Sequence, residues 1–346
     1  MQDAAKTIED IRKAMGSRLA ILGHHYQSDE VLAHVDITGD SLELARRIEG
    51  LEAEHIVFCG VWFMAESAAI LRRKGQKIHI PAPDAACPMA DMARPEALNV
   101  ALENLSASGK KIIPLTYVNS SAEIKAVVGR WGGTVCTSAN AKTMLRWARE
   151  RGDAVLFLPD KHLAVNTATA IGIPEEERHI LNPGLIDGEP SLYVSSEEAE
   201  GKSLLIWPGY CPIHDEFTIK SLETIRREDP EALVVVHPEC PPDVTEAADA
   251  NGSTSFIINY VKNAPEGSTI YVATEANLVN RLAERHRDEK TVKVLETRVC
   301  DDMAKTTTDK LAEQLLSLDK AEPVEVAEEI AKPARKALER MLKACA

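Results

Sequence analysis

Residues 111–126 read KIIPLTYVNSSAEIKA, an apolar run followed by a polar turn and a helix-like segment. An apolar run with little polar alternation is typical of a strand buried on both faces, as in a parallel sheet covered by helices. Similar runs recur along most of the chain, at 18–25, 55–60, 77–83, 111–118, 133–138, 154–159, 204–209, 232–238, 269–274 and 292–297. The pattern predicts an α/β fold built from parallel sheets.

The chain also repeats itself. Three segments share one order of events: a strand with a polar turn, a second strand that opens a helix with small hydroxyl or apolar residues, a third strand, and a cysteine-containing loop. In order, the segments are GHHYQSDE, FCGVWFMAESAAI, KIHIPAPD and CPMADM; YVNSSAEIKA, VCTSANAKTML, VLFLPDKHLAVNTA and YCPIHDEF; and HPECPPDV, ANGSTSFIINY, YVATEANLVNRL and VCDDMAK. We therefore expect three related α/β units.

Two stretches depart from the repeat. Residues 174–203 are rich in Pro, Gly, Glu and Ser, which is typical of an exposed excursion or flap. After Cys300 the chain becomes helical, and Pro333 predicts a kink or break in the last helix. We expect the tail, residues 301–346, to pack back on the body. The predicted domains are 1–92, 93–212 with the insertion 174–203, and 213–300.

Composition narrows the class of protein. The chain has 346 residues, 54 acidic against 40 basic, and a net charge of −14, so it lacks the broad basic surface that a nucleic-acid partner requires. No apolar run approaches the roughly 18 residues of a membrane span, and the start MQDAAKTIEDIRK has no hydrophobic signal core. We expect a cytoplasmic protein with no nucleic-acid or membrane partner. Its seven single cysteines, without a CxxC pair, do not indicate a disulfide framework.

Polar side chains follow the predicted strands, where parallel α/β sheets place their ligands. Each hydroxyl or amide alone is typical of a helix N-cap, so the functional interpretation depends on their recurrence. The segments 39–41 (GDS), 137–140 (TSAN) and 251–255 (NGSTS) would offer anions free backbone N–H groups. The candidates are His24, His25, Tyr26, Tyr117, Asn119, Ser138, His237, Glu239, Ser253 and Thr254.

The cysteines divide into two groups. Cys59 and Cys136 stand inside apolar strands and are typical of small core residues. Cys87, Cys211 and Cys300 each lie in the loop after a third-strand position, one in each repeat. Three thiolates from three units would suit a metal or iron-sulfur site with one open coordination position. Cys240 remains a competing third ligand, because the ligands are too far apart in sequence to form a local motif.

Together the motifs resemble the quinolinate synthase family, the A protein of de novo NAD biosynthesis. The resemblance runs from about residue 18 to about residue 316, and WPGYCPIH, YVNSSAEIK and the late CxxMxK are its most specific parts. The motifs that carry it are GHHYQSDEV, GDSLELA, FCGVWFMAESAAIL, CPMADM, YVNSSAEIKA, CTSANA, FLPDKHLA, WPGYCPIHDEF, HPEC, NGSTSFIINYV and CDDMAK.

The resemblance implies three pseudo-threefold-related α/β domains around a central cavity, and an oxygen-sensitive 4Fe-4S cluster held by Cys87, Cys211 and Cys300 with one iron open. It implies condensation of iminoaspartate with dihydroxyacetone phosphate to quinolinate, with loss of phosphate and two waters. An L-aspartate oxidase or dehydrogenase would supply the iminoaspartate. The implied substrate-contacting residues are His24, Tyr26, Ser41, Phe63, Tyr117, Asn119, Ser138, His214, His237, Glu239, Ser253 and Thr254.

Among these residues we expect Glu239 to be the principal acid/base, with Tyr117, His24 and Tyr26 positioning groups or relaying protons. His237 would either contact substrate or orient Glu239. The open iron would act as a Lewis acid that helps hydroxide to leave.

One departure from the family pattern concerns the last motif, where Ala304 stands in place of a frequent lysine. Three alternatives remain: another 4Fe-4S hydro-lyase acting on a small dicarboxylate, a non-enzymatic iron-sulfur sensor or carrier, and a structural zinc site. A carrier usually has four cysteine ligands, and a structural zinc site usually has closely spaced ones.

Overall fold

Three separate sheets carry the fold in this computed structural model, which describes residues 2–48 and 50–345. Every pair of neighbouring strands is parallel. The predicted α/β fold with three parallel-sheet units is therefore confirmed. The domain boundaries stay predictions, although each sheet lies within one predicted domain.

The first sheet has the strand order β2-β1-β3-β4. Its strands are β1 (Leu19–His24), β2 (Ile37–Gly39), β3 (His55–Cys59) and β4 (Lys77–His79). Its helices are α1 (Gln2–Met15), α2 (Asp29–Leu32), α3 (Ser41–Ile48), α4 (Trp62–Leu71) and α5 (Pro88–Asp91). The strands β1 and β3 are buried along their whole length, which explains why they read as unbroken apolar runs.

The second sheet has the order β6-β5-β7-β9-β8. Its strands are β5 (Ile112–Tyr117), β6 (Thr134–Cys136), β7 (Ala154–Leu158), β8 (Arg178–Ile180) and β9 (Leu204–Ile206). Its helices are α6 (Pro95–Ser106), α7 (Ala122–Arg130), α8 (Ala141–Arg149), α9 (Lys161–Ile171) and α10 (Pro212–Asp215). The sheet and the first one share a large apolar core, so these two units pack as one body.

The third sheet has the order β11-β10-β12-β13. Its strands are β10 (Leu233–Val236), β11 (Ala250–Asn251), β12 (Thr269–Ala273) and β13 (Thr291–Val294). Its helices are α11 (Ile219–Glu228), α12 (Pro242–Ala247), α13 (Thr254–Asn263) and α14 (Ala276–Arg285). In every unit the first strand lies between the second and the third, so the three sheets repeat one topology and align their loops.

This alignment corrects the repeat in the first unit. The sequence analysis aligned FCGVWFMAESAAI with VCTSANAKTML of the second unit. In the structure, however, this segment contains β3, which is equivalent to the third strands of the other units, β7 and β12. The true equivalent is the GDS turn after β2, which that alignment omitted. The strand β2 has three residues and an exposed Thr38, so no apolar run marks it.

The insertion 174–203 also differs from the predicted exposed flap. After a 3-10 turn over Glu175–Glu177 it forms the edge strand β8, which pairs with β9 and extends the second sheet. Leu181, Leu185 and Ala199 are fully buried. Arg94 donates to the backbone oxygens of Ile186 at 2.9 Å and Gly188 at 2.6 Å. Much of the insertion is therefore anchored to the body, while other residues such as Leu192 remain exposed.

The tail contributes the helices α15 (Asp301–Ala304), α16 (Thr308–Leu316) and α17 (Glu328–Ala344). Helix α16 packs against α1, and α17 packs against α7 and β6. The predicted break at Pro333 is wrong, because α17 continues through this residue near its N-terminal end. The Pro333 carbonyl lies so close to Gly129 that a Cβ there would be 1.9 Å from its oxygen. Glycine is therefore required where these two helices meet.

A buried histidine pair predicts acid sensitivity of the fold. His55 Nδ1 and His79 Nε2 are 3.1 Å apart, and His79 is 1% exposed. Burial, together with the neighbouring His55, lowers the pKa of His79 from 6.5 to about 4. Below pH 6.5 the unfolded chain takes up a proton that the folded chain does not, so His79 contributes stability that is lost as the pH falls towards 4.

We therefore expect the free energy of unfolding to fall less with acidification in His79→Gln than in the unmodified protein. Urea unfolding at about pH 7 and about pH 5 would measure this difference, with His286→Gln on the rim of the third unit as the control. An identical pH dependence in the two proteins would contradict the prediction.

Candidate functional site

A cavity of about 200 Å³ lies where the carboxyl ends of the three sheets meet. Each unit lines it with equivalent loops, because the topology is the same in all three. Of the predicted polar site residues, His25 is outside the lining, and so is Ser253. Ser253 caps α13 by accepting from Phe256 N at 3.3 Å, and it faces a neighbouring cavity. The predicted residues that line the cavity are His24, Tyr26, Ser41, Phe63, Cys87, Tyr117, Asn119, Ser138, Cys211, His214, His237, Glu239, Thr254 and Cys300.

Three of the cysteines occupy equivalent positions around the cavity. Cys87, Cys211 and Cys300 each immediately precede a four-residue helix, respectively α5, α10 and α15. Each sulfur also accepts a backbone N–H from the residue three positions later. Burial raises the pKa of Cys87 to about 12 and that of Cys300 to about 11, so without a positive partner these thiols stay protonated.

The other cysteines do not line the cavity. Cys240, the competing third ligand, is fully buried in the core of the third unit, where its sulfur lies 3.8 Å from Ala273 O. Cys59 and Cys136 are buried within β3 and β6, as expected of small core residues. Cys345 lies beside Met144, against the helices of the second unit.

Glu239 is surrounded by aromatic and imidazole groups. Its Oε2 lies 2.9 Å from His214 Nδ1, and its Oε1 lies 3.9 Å from His237 Nδ1. The His214 and His237 rings stack at 4.5 Å, and the Tyr117 phenol also hydrogen-bonds the carboxylate. Burial alone would raise the pKa of Glu239, but the two imidazoles and these hydrogen bonds hold it below its usual range. Glu239 is thus an ionised carboxylate inside the cavity.

The first unit contributes His24 and Tyr26, and the Tyr26 ring lies 6.4 Å from that of His214. The Tyr26 hydroxyl lies 2.7 Å from Thr274 Oγ1 and accepts from Thr254 Oγ1 at 3.4 Å, and both threonines belong to the third unit. Burial lowers the pKa of His24 and of His237 to about 3. Both imidazoles are therefore neutral at neutral pH, while burial raises the pKa of Tyr26 well above 10 and keeps its phenol protonated.

The remaining polar groups suit an anionic ligand. Ser41 and Thr254 are the first residues of α3 and α13, and Ser138 lies three positions before the first residue of α8. Asn119 Oδ1 and Thr137 Oγ1 are buried and have no hydrogen-bond partner among the described residues, although both residues line the cavity. No lysine or arginine is among the described residues of the lining, so helix N-termini supply most of its positive potential.

Comparison with known proteins shows the family. The model of the family described as quinolinate synthetase A protein matches residues 6–343. The chain belongs to this family. A quinolinate synthase from Bacillus pumilus is 42% identical over 352 residues, covering 99% of this chain and 93% of the relative. The Bacillus subtilis enzyme is 42% identical over 348 residues, with 99% and 93% covered, and that of Corynebacterium glutamicum is 42% identical over 345 residues, with 97% and 86% covered.

The prediction that this protein is an enzyme is confirmed, because its relatives are quinolinate synthases. In the described part of this family member, no helix has the length and apolarity needed to cross a membrane.

Sequence reasoning missed several groups that organise the site of this quinolinate synthetase A family member. Glu275 lines the cavity and accepts from the backbone N–H groups of Asn277, Leu278 and Cys300. Asn166 in the second unit donates to Pro238 O and Cys240 O, both at 2.9 Å, and so holds the turn that carries Glu239. Glu275 follows directly after β12, so its position at a strand end was the available signal.

Arg281 on α14 joins the third unit to the turn that carries His24 and Tyr26. Its guanidinium donates to His25 O at 2.7 Å and to Gln27 O at 2.6 Å, and it also pairs with Asp29. Arg281 is 6% exposed. Because the donors and the acceptors belong to different units, this contact fixes the turn relative to the third sheet.

We expect Arg281→Met to destabilise the protein by on the order of 2 kcal/mol, since two buried carbonyls lose their donors. The kcat/KM for quinolinate formation should also fall at least about tenfold, because the turn that carries Tyr26 is no longer held in position against the third unit. Arg281→Lys should restore neither the stability nor kcat/KM, because a lysine ammonium cannot reproduce the planar arrangement of donors in the guanidinium. Thermal melting and steady-state kinetics would measure both effects, with the exposed Arg285→Met as the matched control. Unchanged melting and kinetics in Arg281→Met would refute this role.

Proposed function

We propose that the protein condenses iminoaspartate with dihydroxyacetone phosphate to quinolinate, releasing phosphate and two waters, as a step of NAD biosynthesis. The observation that carries the proposal is the cavity in which one cysteine from each unit faces an ionised, histidine-bound Glu239. Family membership supports it, because the relatives are quinolinate synthases.

The donor set fits a 4Fe-4S cluster with one open iron. Cys87, Cys211 and Cys300 line one cavity, their sulfurs accept backbone N–H groups, and no fourth cysteine is among the described residues of the lining. Hydrogen bonds to ligating sulfur are one means by which proteins tune such clusters. When bound, the cluster would supply a Lewis acid that makes hydroxide a better leaving group.

The protein's own groups would position and deprotonate the substrates. Ionised Glu239 can accept a proton, and the protonated Tyr117 phenol that hydrogen-bonds it can return one. Neutral His24 and His237 offer both a donor and an acceptor for the hydroxyl, carbonyl and imine groups of the reactants. The acid/base steps would therefore proceed between Glu239 and the surrounding neutral groups.

The substrates' negative charges would be held by backbone N–H groups and hydroxyls. The N-termini of α3 and α13 open on the cavity, with Ser41 and Thr254 at their first positions. The unpartnered Asn119 Oδ1 is available to accept from an imine or amine N–H. These groups suit dicarboxylates and a phosphate ester better than neutral sugars.

An anaerobic assay tests the proposed function. The purified protein, reconstituted with iron and sulfide, would receive dihydroxyacetone phosphate together with iminoaspartate generated by an L-aspartate oxidase or dehydrogenase. We expect quinolinate and inorganic phosphate in equal amounts. The ratio should be the same whether this protein is fused to the iminoaspartate-generating enzyme or added as a separate protein. Iron loading without quinolinate or phosphate release would refute the condensation. Dehydration of another small dicarboxylate by the same loaded protein would then indicate a different cluster-dependent hydro-lyase, and no turnover of any of them would indicate a sensor.

We also place the protein in the cytoplasm, because an iron-sulfur cluster and seven free thiols are typical of a reducing compartment.

A further inference from the structure

Three potential metal ligands in the cavity form a set that differs from the three cysteines. Cys211, His214 and Glu239 each offer one ligand atom, and these atoms all lie within 4.8 Å of one another. His214 Nδ1 is 3.3 Å from Cys211 Sγ and 2.9 Å from Glu239 Oε2. Zinc bond lengths in tetrahedral geometry require ligand separations of roughly 3.3–3.7 Å, so small movements would admit an ion.

The surrounding contacts orient His214 for coordination. Its Nε2 lies 3.0 Å from Thr274 Oγ1, and this hydroxyl also contacts Tyr26. Without an ion, Nδ1–H donates to Glu239; an ion would select the other tautomer, in which Nε2–H donates to Thr274 and the Nδ1 lone pair points at the space between the sulfur and the carboxylate. A hydrogen bond to the second imidazole nitrogen is the arrangement that fixes metal-binding histidines elsewhere.

Charge also suits a divalent ion. His214 and Glu239 are 2% and 3% exposed, and the described lining has no lysine or arginine, so hydrogen-bond donors and imidazoles alone balance the Glu239 carboxylate. A dication with one thiolate and one carboxylate forms a neutral group. Thiolate, imidazole and carboxylate are all zinc ligands, and three protein ligands leave one position open towards the cavity.

We propose that the cluster-free protein binds one zinc-type divalent ion through Cys211 Sγ, His214 Nδ1 and a Glu239 carboxylate oxygen, and that this ion excludes the iron-sulfur cluster because both require Cys211. Binding forms a metal–sulfur bond and releases the thiol proton to solvent. The exclusion, but not the ion site, rests on the proposed function. Zinc would then hold the enzyme in an inactive form until iron and sulfide replace it.

Cobalt(II) titration of the reduced, cluster-free full chain tests the ion site, because a thiolate–cobalt bond absorbs in the near ultraviolet. We expect one Co²⁺ per chain, with affinity unchanged within about twofold in Cys87→Ser and Cys300→Ser. Affinity should fall at least about tenfold in Glu239→Gln and His214→Ala, and the thiolate band should disappear in Cys211→Ser. Far-ultraviolet circular dichroism would verify the fold of every variant.

Two results would overturn the ion site: a loss of affinity in Cys87→Ser or Cys300→Ser, which would place the ion among the three thiols, or full affinity in Glu239→Gln. The first result can be read even if Glu239→Gln does not fold. None of these readings requires activity, so the failure of quinolinate formation would leave them unaffected.

Iron loading in the presence of one equivalent of Zn²⁺ tests the exclusion. We expect zinc to slow cluster assembly at least about tenfold in the unmodified protein and to have little effect in Glu239→Gln. Equal inhibition of the two proteins would overturn the exclusion. Failure of both to load iron without zinc would instead refute the cluster on which the proposed function depends.

Discussion

Replacing Cys87, Cys211 or Cys300 with alanine should remove the cluster and reduce quinolinate formation to the background of the assay. The three sulfurs lie on three separate units, so no neighbouring thiol in the described lining can take over a lost position. With two thiolates left, the proposed four-iron cluster would have two irons without a protein ligand. Iron content, acid-labile sulfide and the absorbance near about 400 nm would measure the loss.

Cys240→Ala is the matched control for this series. Cys240 is the cysteine whose position in sequence competes with Cys300, yet it is fully buried in the third unit and faces Ala273 O. We expect this variant to retain its iron and most of its activity, with a modest loss of stability from the small cavity. Loss of iron in Cys240→Ala, or retention of iron in Cys300→Ala, would show that the ligand set is wrong.

Glu239→Gln should lower kcat for quinolinate formation by about two to four orders of magnitude while leaving iron content intact. The amide has nearly the same shape as the carboxylate, but it cannot accept a proton at neutral pH. It also leaves the hydrogen bonds from His214 and Tyr117 without a charged acceptor. KM for dihydroxyacetone phosphate should change far less than kcat, since the helix N-termini would still hold the anions.

Glu246→Gln supplies the control for the charge change, because Glu246 is exposed on α12 in the same stretch of chain. It should behave like the unmodified protein in iron content, kcat and KM. A Glu239→Gln variant with normal kcat would remove Glu239 from the acid/base role. Loss of iron in that variant would instead assign Glu239 to holding the cluster.

Local sequence patterns were sufficient for the strands that lie inside the sheets. The apolar runs at 19–24, 112–117 and 154–158 are buried along their whole length, and burial on both faces is what an unbroken run reports. The edge strands β2 and β8 were missed because each has only three residues and a partly exposed face. Pro333 misled the helix prediction, because α17 continues from Glu328 to Ala344 although this proline, its sixth residue, has no N–H to donate to the carbonyl four residues earlier.

The functional site likewise has some features that the sequence predicts and others that only the tertiary structure shows. The sequence by itself determined the fold class, the family and most of the residues in the cavity, because strand ends carry recognisable polar turns and the motifs are specific. Only the tertiary structure placed Cys300 rather than Cys240 in the lining, and only it joined Arg281 to the Tyr26 turn and Cys211 to His214 and Glu239. These relations depend on how three separate sheets pack, and packing between units leaves no periodic signal along the chain.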